Sequence, residues 1–240
     1  MKMPDMPLPD GVTLESGEDP QEVAEALAAD VAGFLVQRLE RADRASLVVS
    51  GGSTPLPFFR ALSQVDLDWS RVDVLLADER WVPEGDPASN TTLVRENLLQ
   101  NKAADANFLS LKQVGATPEE GLPRVRSALA GLKLPLDVLI LGMGNDGHTA
   151  SLFPDAPELP EAMDLESRDL VLAMNPPSQA QQRITLTRPV LAGARYTALH
   201  LKGNDKLDTL AAAMARPEAI MAMPVRAFLK PGLKVFWSPR

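Results

Sequence analysis

The sequence predicts an α/β protein with a mostly parallel, doubly wound, Rossmann-like sheet and helices on both faces. Strand-like and helix-like segments alternate along the chain, as expected for successive βα units. Several strand-like segments are continuous apolar runs, at residues 46–50, 72–77 and 137–141. Such runs are typical of strands buried on both faces, and those strands usually belong to parallel sheets.

Helical periodicity supports this assignment between the strands. Apolar residues recur every three or four positions over residues 20–41, which predicts a long amphipathic helix. Shorter helices are predicted at residues 56–62, 90–99, 117–130 and 204–216. Weaker strands are predicted at residues 170–174, 196–201 and 233–237.

The order of these elements indicates one domain. We expect a single α/β domain over residues 11–240, preceded by a flexible arm at residues 1–10 that is rich in proline. A small subsidiary layer is expected from residues 83–111. No internal repeat or interdomain linker interrupts the pattern.

Composition excludes several classes of function. The 240 residues contain no cysteine, which excludes a disulfide scaffold and a thiolate nucleophile and favours a cytoplasmic protein. No segment approaches the roughly 18 apolar residues of a membrane span. The net charge of −8, with no basic block, argues against binding to nucleic acid or to an anionic membrane. Oligomeric state stays open, and a monomer is compatible with the sequence.

The segment after the third apolar run gives the strongest indication of chemistry. It contains Asp146 and His148 within three glycines, Gly142, Gly144 and Gly147. Ligands in open α/β sheets bind just beyond the carboxyl ends of the strands. His148 is therefore a candidate general base that Asp146 orients. The alternative is a histidine that caps a following helix at residues 149–153.

A second candidate site follows the first apolar run. Gly51, Gly52, Ser53 and Thr54 lie between a strand and a helix start, where backbone N–H groups and the helix terminus attract anions. Phosphate binding and a simple turn with Ser53 or Thr54 as N-cap remain equally open from spacing alone. The lysine of a Walker loop and the dinucleotide fingerprint are both missing.

Three cations could hold an anionic ligand. Arg80, in Asp78-Glu79-Arg80 at the end of the second run, can bind a phosphate with two hydrogen bonds, although a surface ion pair with Glu79 is the alternative. Lys206 lies in the first turn of a predicted helix, where a bound anion would offset its unfavourable position. Arg183 lies at the end of a short predicted strand.

The remaining candidates are few. His200 lies inside a strand pattern and is interpreted as structural. No second histidine has ligand spacing from His148, so no metal site is predicted.

Taken together, these motifs resemble the 6-phosphogluconolactonase family of the glucosamine/galactosamine-6-phosphate isomerase superfamily. They occur in the family's order between residues 45 and 230, and the glycine–histidine motif is the most specific. The matching segments are Ser50-Gly-Gly-Ser-Thr-Pro55, Asp78-Glu-Arg-Trp-Val-Pro83 with Ser89-Asn90 after it, Gly142-Met-Gly-Asn-Asp-Gly-His-Thr-Ala-Ser-Leu-Phe-Pro154, Arg183-Ile-Thr-Leu-Thr187 and Gly203-Asn-Asp-Lys206.

The resemblance implies a function and a site. It implies the sugar-phosphate isomerase-like fold and hydrolysis of 6-phosphoglucono-δ-lactone to 6-phosphogluconate in the oxidative pentose phosphate pathway, without a cofactor. His148 and Asp146 are then the expected catalytic residues. The expected substrate-binding residues are Gly51, Gly52, Ser53, Thr54, Asp78, Arg80, Gly144, Gly147, Arg183 and Lys206.

Two alternatives remain: a non-catalytic sugar-phosphate sensor on the same fold, which would not need His148, and the related glucosamine-6-phosphate deaminases. The deaminases share the fold and a similar Asp-Gly-His segment, but carry a glutamate five residues after the histidine that assists ring opening. Phe153 occupies that position here, which disfavours deaminase chemistry.

Overall fold

The computed structural model describes residues 6–240; residues 1–5 of the expected arm lie outside the described residues. Residues 6–10 form no helix or strand, and Met6 and Leu8 pack against the core. The strands are β1 (Thr13–Ser16), β2 (Ala45–Val49), β3 (Val72–Leu76), β4 (Asp78–Arg80), β5 (Asn107–Leu109), β6 (Val138–Leu141), β7 (Val171–Met174), β8 (Arg183–Leu186), β9 (Tyr196–Lys202) and β10 (Lys234–Ser238).

Within residues 6–240, seven α-helices and three short 3₁₀ segments connect these strands. The α-helices are α1 (Pro20–Leu39), α2 (Leu56–Ser63), α3 (Asn90–Asn97), α4 (Pro118–Ala128), α5 (Leu159–Ala162), α6 (Arg188–Ala192) and α7 (Asn204–Ala215). The 3₁₀ segments are Trp69–Arg71, Asn101–Asp105 and Pro224–Phe228. No helix among the described residues is long and apolar enough to cross a membrane.

The main sheet has seven parallel strands in the order β1-β10-β9-β6-β2-β3-β5. Every residue of β2 and of β6 is buried, which confirms the interpretation of the apolar runs as strands of a parallel sheet. From β2 the chain proceeds outward through β3 to β5, and from β6 it proceeds the other way through β9 and β10. The winding therefore reverses between β2 and β6, and ligands of such sheets bind at this point.

The long helix α1 illustrates how sequence determines the packing. Asp19 precedes it and accepts a hydrogen bond from the Gln21 amide at 2.9 Å, while Pro20 occupies the first helical position, where no N–H is needed. Leu27, Val31 and Leu35 on one face are fully buried. This face contacts β10 and β2 and the neighbouring helix α2, so the predicted apolar stripe covers the sheet.

The subsidiary layer differs from the expectation. It is a three-stranded antiparallel sheet in the order β4-β8-β7, and residues 83–111 do not build it. Instead β5, within that range, joins the edge of the main sheet beside β3. The small sheet combines segments about 100 residues apart in sequence, so local patterns could not predict it.

Candidate active site

A cleft of about 240 Å³ opens where β2 and β6 end. The turn after β2 forms one wall and the glycine segment after β6 forms the other. Nine of the predicted site residues line the cleft: Gly51, Gly52, Thr54, Asp78, Arg80, Gly144, His148, Arg183 and Lys206. Ser53, Asp146 and Gly147 lie adjacent in sequence but not on its wall.

His148 and Asp146 are directly hydrogen-bonded, although residues two apart often face different ways. The His148 Nδ1 atom lies 2.5 Å from Asp146 Oδ1, and the same oxygen accepts from the His148 amide at 3.0 Å. Gly147, with a φ of 82°, makes the tight turn between them that glycine alone adopts without strain. The carboxylate therefore fixes the orientation of the imidazole ring.

The same contacts affect the ionisation of Asp146. Burial raises the pKa of this carboxyl, but the hydrogen bonds from the His148 ring and amide outweigh burial and give a pKa below the ordinary value. Asp146 is therefore anionic across the neutral range, as an orienting partner of a histidine must be.

Phe153 supports His148 from below. Its fully buried ring stacks on the imidazole with the ring centroids 4.1 Å apart and the planes at 21°. The guanidinium carbon of Arg183 lies 4.9 Å from the centre of the same ring. Residues 149–153 form a turn and no helix, so the alternative of His148 as a helix cap is wrong.

The glycine segment is compact and largely self-bonded. The Gly144 amide donates to the His148 carbonyl and the Gly147 amide donates to the Gly144 carbonyl, both at 2.9 Å. These two N–H groups are consequently bonded to backbone carbonyls, and the assignment of Gly144 and Gly147 to substrate binding stays a prediction. Met143, between Gly142 and Gly144, also lines the cleft.

The turn after β2 approaches the cleft closely. A Cβ atom on Gly51 would lie 2.0 Å from Asn90 Oδ1, and Gly52 has a φ of 89°, so both positions require glycine. Helix α2 begins after Pro55 without a side-chain cap. The N-cap interpretation of Ser53 and Thr54 is therefore wrong. The Leu56 amide donates to the Ser53 carbonyl, and Pro55 and Pro57 have no N–H, so the amides that could face an anion are those of the turn at residues 51–54.

Arg80 and Lys206 present their positive charges to the cleft. Arg80 Nη1 donates to the Ala88 carbonyl at 2.9 Å, while its buried Nε has no partner among the described residues. Lys206 Nζ donates to Asn145 Oδ1 at 2.8 Å, which ties the start of α7 to the glycine segment. Each cation is thus anchored by one hydrogen bond and retains donors for a ligand.

Arg183 and Asp78 form a buried pair at the base of the cleft. Arg183 Nη1 lies 3.9 Å from Asp78 Oδ2, and that oxygen also accepts from Ser151 Oγ at 2.6 Å. Burial, reinforced by the charge of Arg80, lowers the pKa of Arg183, although the charge of Asp78 opposes the shift. Asp78 is therefore the acidic neighbour of Arg183 at the base of the cleft, and its contact with substrate stays a prediction.

Glu79 makes no surface ion pair with Arg80. It is 1% exposed, and its carboxylate accepts from the Asn90 amide at 2.9 Å and from the amide and hydroxyl of Thr91 at 2.8 and 2.7 Å. Glu79 thus caps α3, and burial raises its pKa despite these bonds. No group of three histidine or acidic side chains in residues 6–240 is placed to hold a metal ion.

Comparison with known proteins identifies the family of this site. A family model described as glucosamine-6-phosphate isomerases/6-phosphogluconolactonase matches residues 18–237. The chain belongs to this family. A 6-phosphogluconolactonase of Pseudomonas aeruginosa is 49% identical over 239 residues, with 100% of each chain covered. A crystal structure of a 6-phosphogluconolactonase from Shewanella baltica has a TM-score of 0.92 and 41% identity and covers 97% of this chain and 100% of that one.

The fold alone does not separate the two activities of this glucosamine-6-phosphate isomerase/6-phosphogluconolactonase family. A monomeric glucosamine-6-phosphate deaminase is 16% identical and has a TM-score of 0.75, covering 94% of this chain and 97% of that one. The difference must therefore lie in the side chains of the cleft, where Phe153 is completely buried against His148.

Asn90 and His200 are among the cleft residues that sequence reasoning did not assign to the site. Asn90, the first residue of α3, lines the cleft beside Gly51, and the only signal was its place near the Asp78 motif. His200 was interpreted as structural, but its ring also lines the cleft. A histidine within an otherwise apolar strand was the available signal.

Gly144→Ala tests the geometry of this family member's glycine segment. A Cβ atom on Gly144 would lie 2.1 Å from the His148 ring, so the ring must shift. Because a misplacement of about 1 Å can reduce turnover about 10²-fold, we expect kcat to fall roughly 10- to 100-fold. Steady-state kinetics checks this, with Gly33→Ala as the control, since its Cβ would contact nothing. Equal kcat in both variants would show that the position of the His148 ring is not critical for turnover.

Proposed function

We propose that this chain hydrolyses 6-phosphoglucono-δ-lactone to 6-phosphogluconate, with His148 as the general base. The observation that carries the proposal is the hydrogen bond between Asp146 and His148, because His148 lines a cleft that Arg80 and Lys206 also line. Family membership and 49% identity to a 6-phosphogluconolactonase support lactone hydrolysis. The roles of individual residues follow from their contacts.

The bond to Asp146 determines which nitrogen of His148 acts on water. Asp146 is an acceptor, so Nδ1 of the neutral ring carries the proton and Nε2 carries the lone pair. Nε2 then removes a proton from a water molecule that attacks the lactone carbonyl carbon. The anion of Asp146 stabilises the imidazolium that forms, as in other histidine–carboxylate pairs.

The tetrahedral intermediate needs a donor for its oxyanion. The Gly144 and Gly147 amides are engaged, so we assign this role to the backbone around Met143, which lines the same wall. Protonated His148 then returns its proton to the ring oxygen as the carbon–oxygen bond breaks. The products are the free carboxylic acid, which ionises, and the opened sugar chain.

The phosphate is proposed to bind on the turn at residues 51–54, held by Arg80 and Lys206. Backbone amides of this turn and two anchored cations are suited to a dianion. Arg183 adds positive potential from the base of the cleft. Binding the remote phosphate places the carbonyl beside His148, so these contacts contribute to rate as well as affinity.

Deaminase chemistry finds no support in the cleft. It requires a group that relays a proton during ring opening, and the apolar ring of Phe153 cannot do so. Wild-type protein should therefore release no ammonia from glucosamine 6-phosphate, while it releases acid from the phosphorylated lactone in a pH-stat. Measurable ammonia release would replace the lactonase proposal with the deaminase alternative.

Arg80→Ala and Lys206→Ala test the phosphate site. Each removes a charge-assisted hydrogen bond of roughly 1.5–3 kcal/mol, so kcat/KM should fall on the order of 10- to 100-fold, mainly through KM. Arg216→Ala is the matched control, because it changes the net charge equally at an exposed position. If both cleft variants retain wild-type kcat/KM, the phosphate binds elsewhere.

A further inference from the structure

Buried polar atoms without partners are concentrated around the cleft. Within residues 6–240, five such side-chain atoms occur, and four belong to residues that line the cleft: Arg80 Nε, Asn90 Oδ1, Arg183 Nε and His200 Nδ1. An unpartnered buried polar atom costs about 1–3 kcal/mol. Such a cost at one place indicates that a ligand supplies the missing partners.

His200 is the least expected member of this set. It is 6% exposed and lies between Leu199 and Leu201 in β9. Its ring packs edge to face against the ring of Phe58, with the two ring centroids 6.3 Å apart. Burial lowers the pKa of His200 to about 4, so the ring is neutral near pH 7. A neutral imidazole has one donor and one acceptor nitrogen, and Nδ1 has no partner among the described residues.

The sheet register locates this ring relative to the catalytic segment. Strand β9 pairs with β6 in parallel, with Leu199 aligned to Leu141. His200 is therefore level with Gly142, where the segment that carries His148 begins. On its other side, Phe58 belongs to α2, which follows the proposed phosphate turn. The ring is thus level with the start of the glycine segment and in contact with the helix that follows the proposed phosphate turn.

We propose that His200 determines specificity in this cleft by forming a hydrogen bond with a hydroxyl group of the sugar lactone. A hydroxyl both donates and accepts, so it satisfies either tautomer of the ring, whereas a phosphate dianion offers acceptors alone. The phosphate already has Arg80 and Lys206. Asn90, with its unpartnered Oδ1, offers a second neutral contact for a hydroxyl. The inference rests on the proposed lactonase function and adds the group that recognises the sugar.

His200→Leu gives a signature that a structural histidine would not give. Removal of an unpartnered buried imidazole should leave the thermal midpoint of the free protein unchanged or raised. Loss of the substrate contact should raise KM for the lactone about 10-fold with little change in kcat, which corresponds to one neutral hydrogen bond. His200→Asn keeps hydrogen-bonding atoms near the Nδ1 position, so its KM should lie between those of wild type and His200→Leu.

Tyr196→Phe is the matched control on the same strand. The Tyr196 hydroxyl donates to Asp30 Oδ2 at 2.7 Å and lies outside the cleft, so its loss should lower the thermal midpoint and leave KM unchanged. His200→Leu should therefore raise KM without lowering the thermal midpoint, whereas Tyr196→Phe should lower the thermal midpoint without changing KM. His200→Phe is the second apolar variant if His200→Leu fails to fold.

Thermal stabilisation by ligands separates this inference from the proposed function. Added 6-phosphogluconate should stabilise His200→Leu less than wild type, whereas inorganic phosphate should stabilise both equally. Unchanged KM in both apolar variants would overturn the hydroxyl contact. The same would follow if His200→Leu lost as much stabilisation by inorganic phosphate as by 6-phosphogluconate. Neither result would affect the proposal of lactone hydrolysis. Wild-type protein that neither hydrolyses the lactone nor binds 6-phosphogluconate would instead remove the proposed function and this inference with it.

Discussion

Replacement of His148 with alanine is expected to lower kcat for lactone hydrolysis by about 10²–10⁴-fold, the usual contribution of a general base. The structure gives the reason: Asp146 orients the ring through Nδ1, which leaves Nε2 for water. The measurement is the steady-state rate with freshly made 6-phosphogluconolactone, corrected for spontaneous hydrolysis.

Binding of the product, 6-phosphogluconate, provides the control for His148→Ala. Because the proposed phosphate contacts lie on other segments, 6-phosphogluconate should still raise the thermal midpoint of the variant. Turnover near the wild-type rate in a protein that still binds product would remove His148 from the mechanism.

Phe153→Ala is expected to destabilise the protein by up to roughly 3–5 kcal/mol, as for other fully buried aromatic side chains. The ring is 0% exposed and contacts both His148 and Arg183, so its loss leaves a cavity directly below the His148 ring. We also expect a lower kcat in the folded variant, because the imidazole loses one of the two contacts that fix it.

Phe59→Ala separates the two effects of Phe153. Phe59 is also 0% exposed but lies outside the cleft, so its loss should reduce the free energy of unfolding without reducing kcat under conditions where the protein is folded. Denaturant unfolding and kinetics on both variants provide the comparison. Equal kcat in the two variants would show that Phe153 has no role in holding His148.

The sequence predicted the centre of the sheet better than its edges. Strands β2, β3 and β6 are buried on both faces, and their continuous apolar runs identify them. Strand β1 is largely exposed, and its strand conformation depends on pairing with β10, more than 200 residues away. Strand β5 has only three residues. Their pairing partners are not encoded in any local pattern.

The site shows the same division between local and distant information. The motifs indicated His148 and the cations correctly as residues of one cleft, because strand ends of a parallel sheet converge. The bond between Asp146 and His148 depends on the turn at Gly147, which spacing alone left open. The place of His200 on the cleft could not be predicted, because a strand pattern shows that a side chain is buried but not that it lines a cavity.

The most direct test of this account is the ratio of kcat/KM for 6-phosphogluconolactone to that for unphosphorylated gluconolactone, measured with wild-type protein. The proposed cleft combines His148, which acts on the carbonyl of either lactone, with Arg80 and Lys206, which act on the phosphate alone. Two charge-assisted contacts of roughly 1.5–3 kcal/mol each predict a ratio above about 10². Similar values for the two lactones, or no hydrolysis of either above the spontaneous rate, would contradict the account.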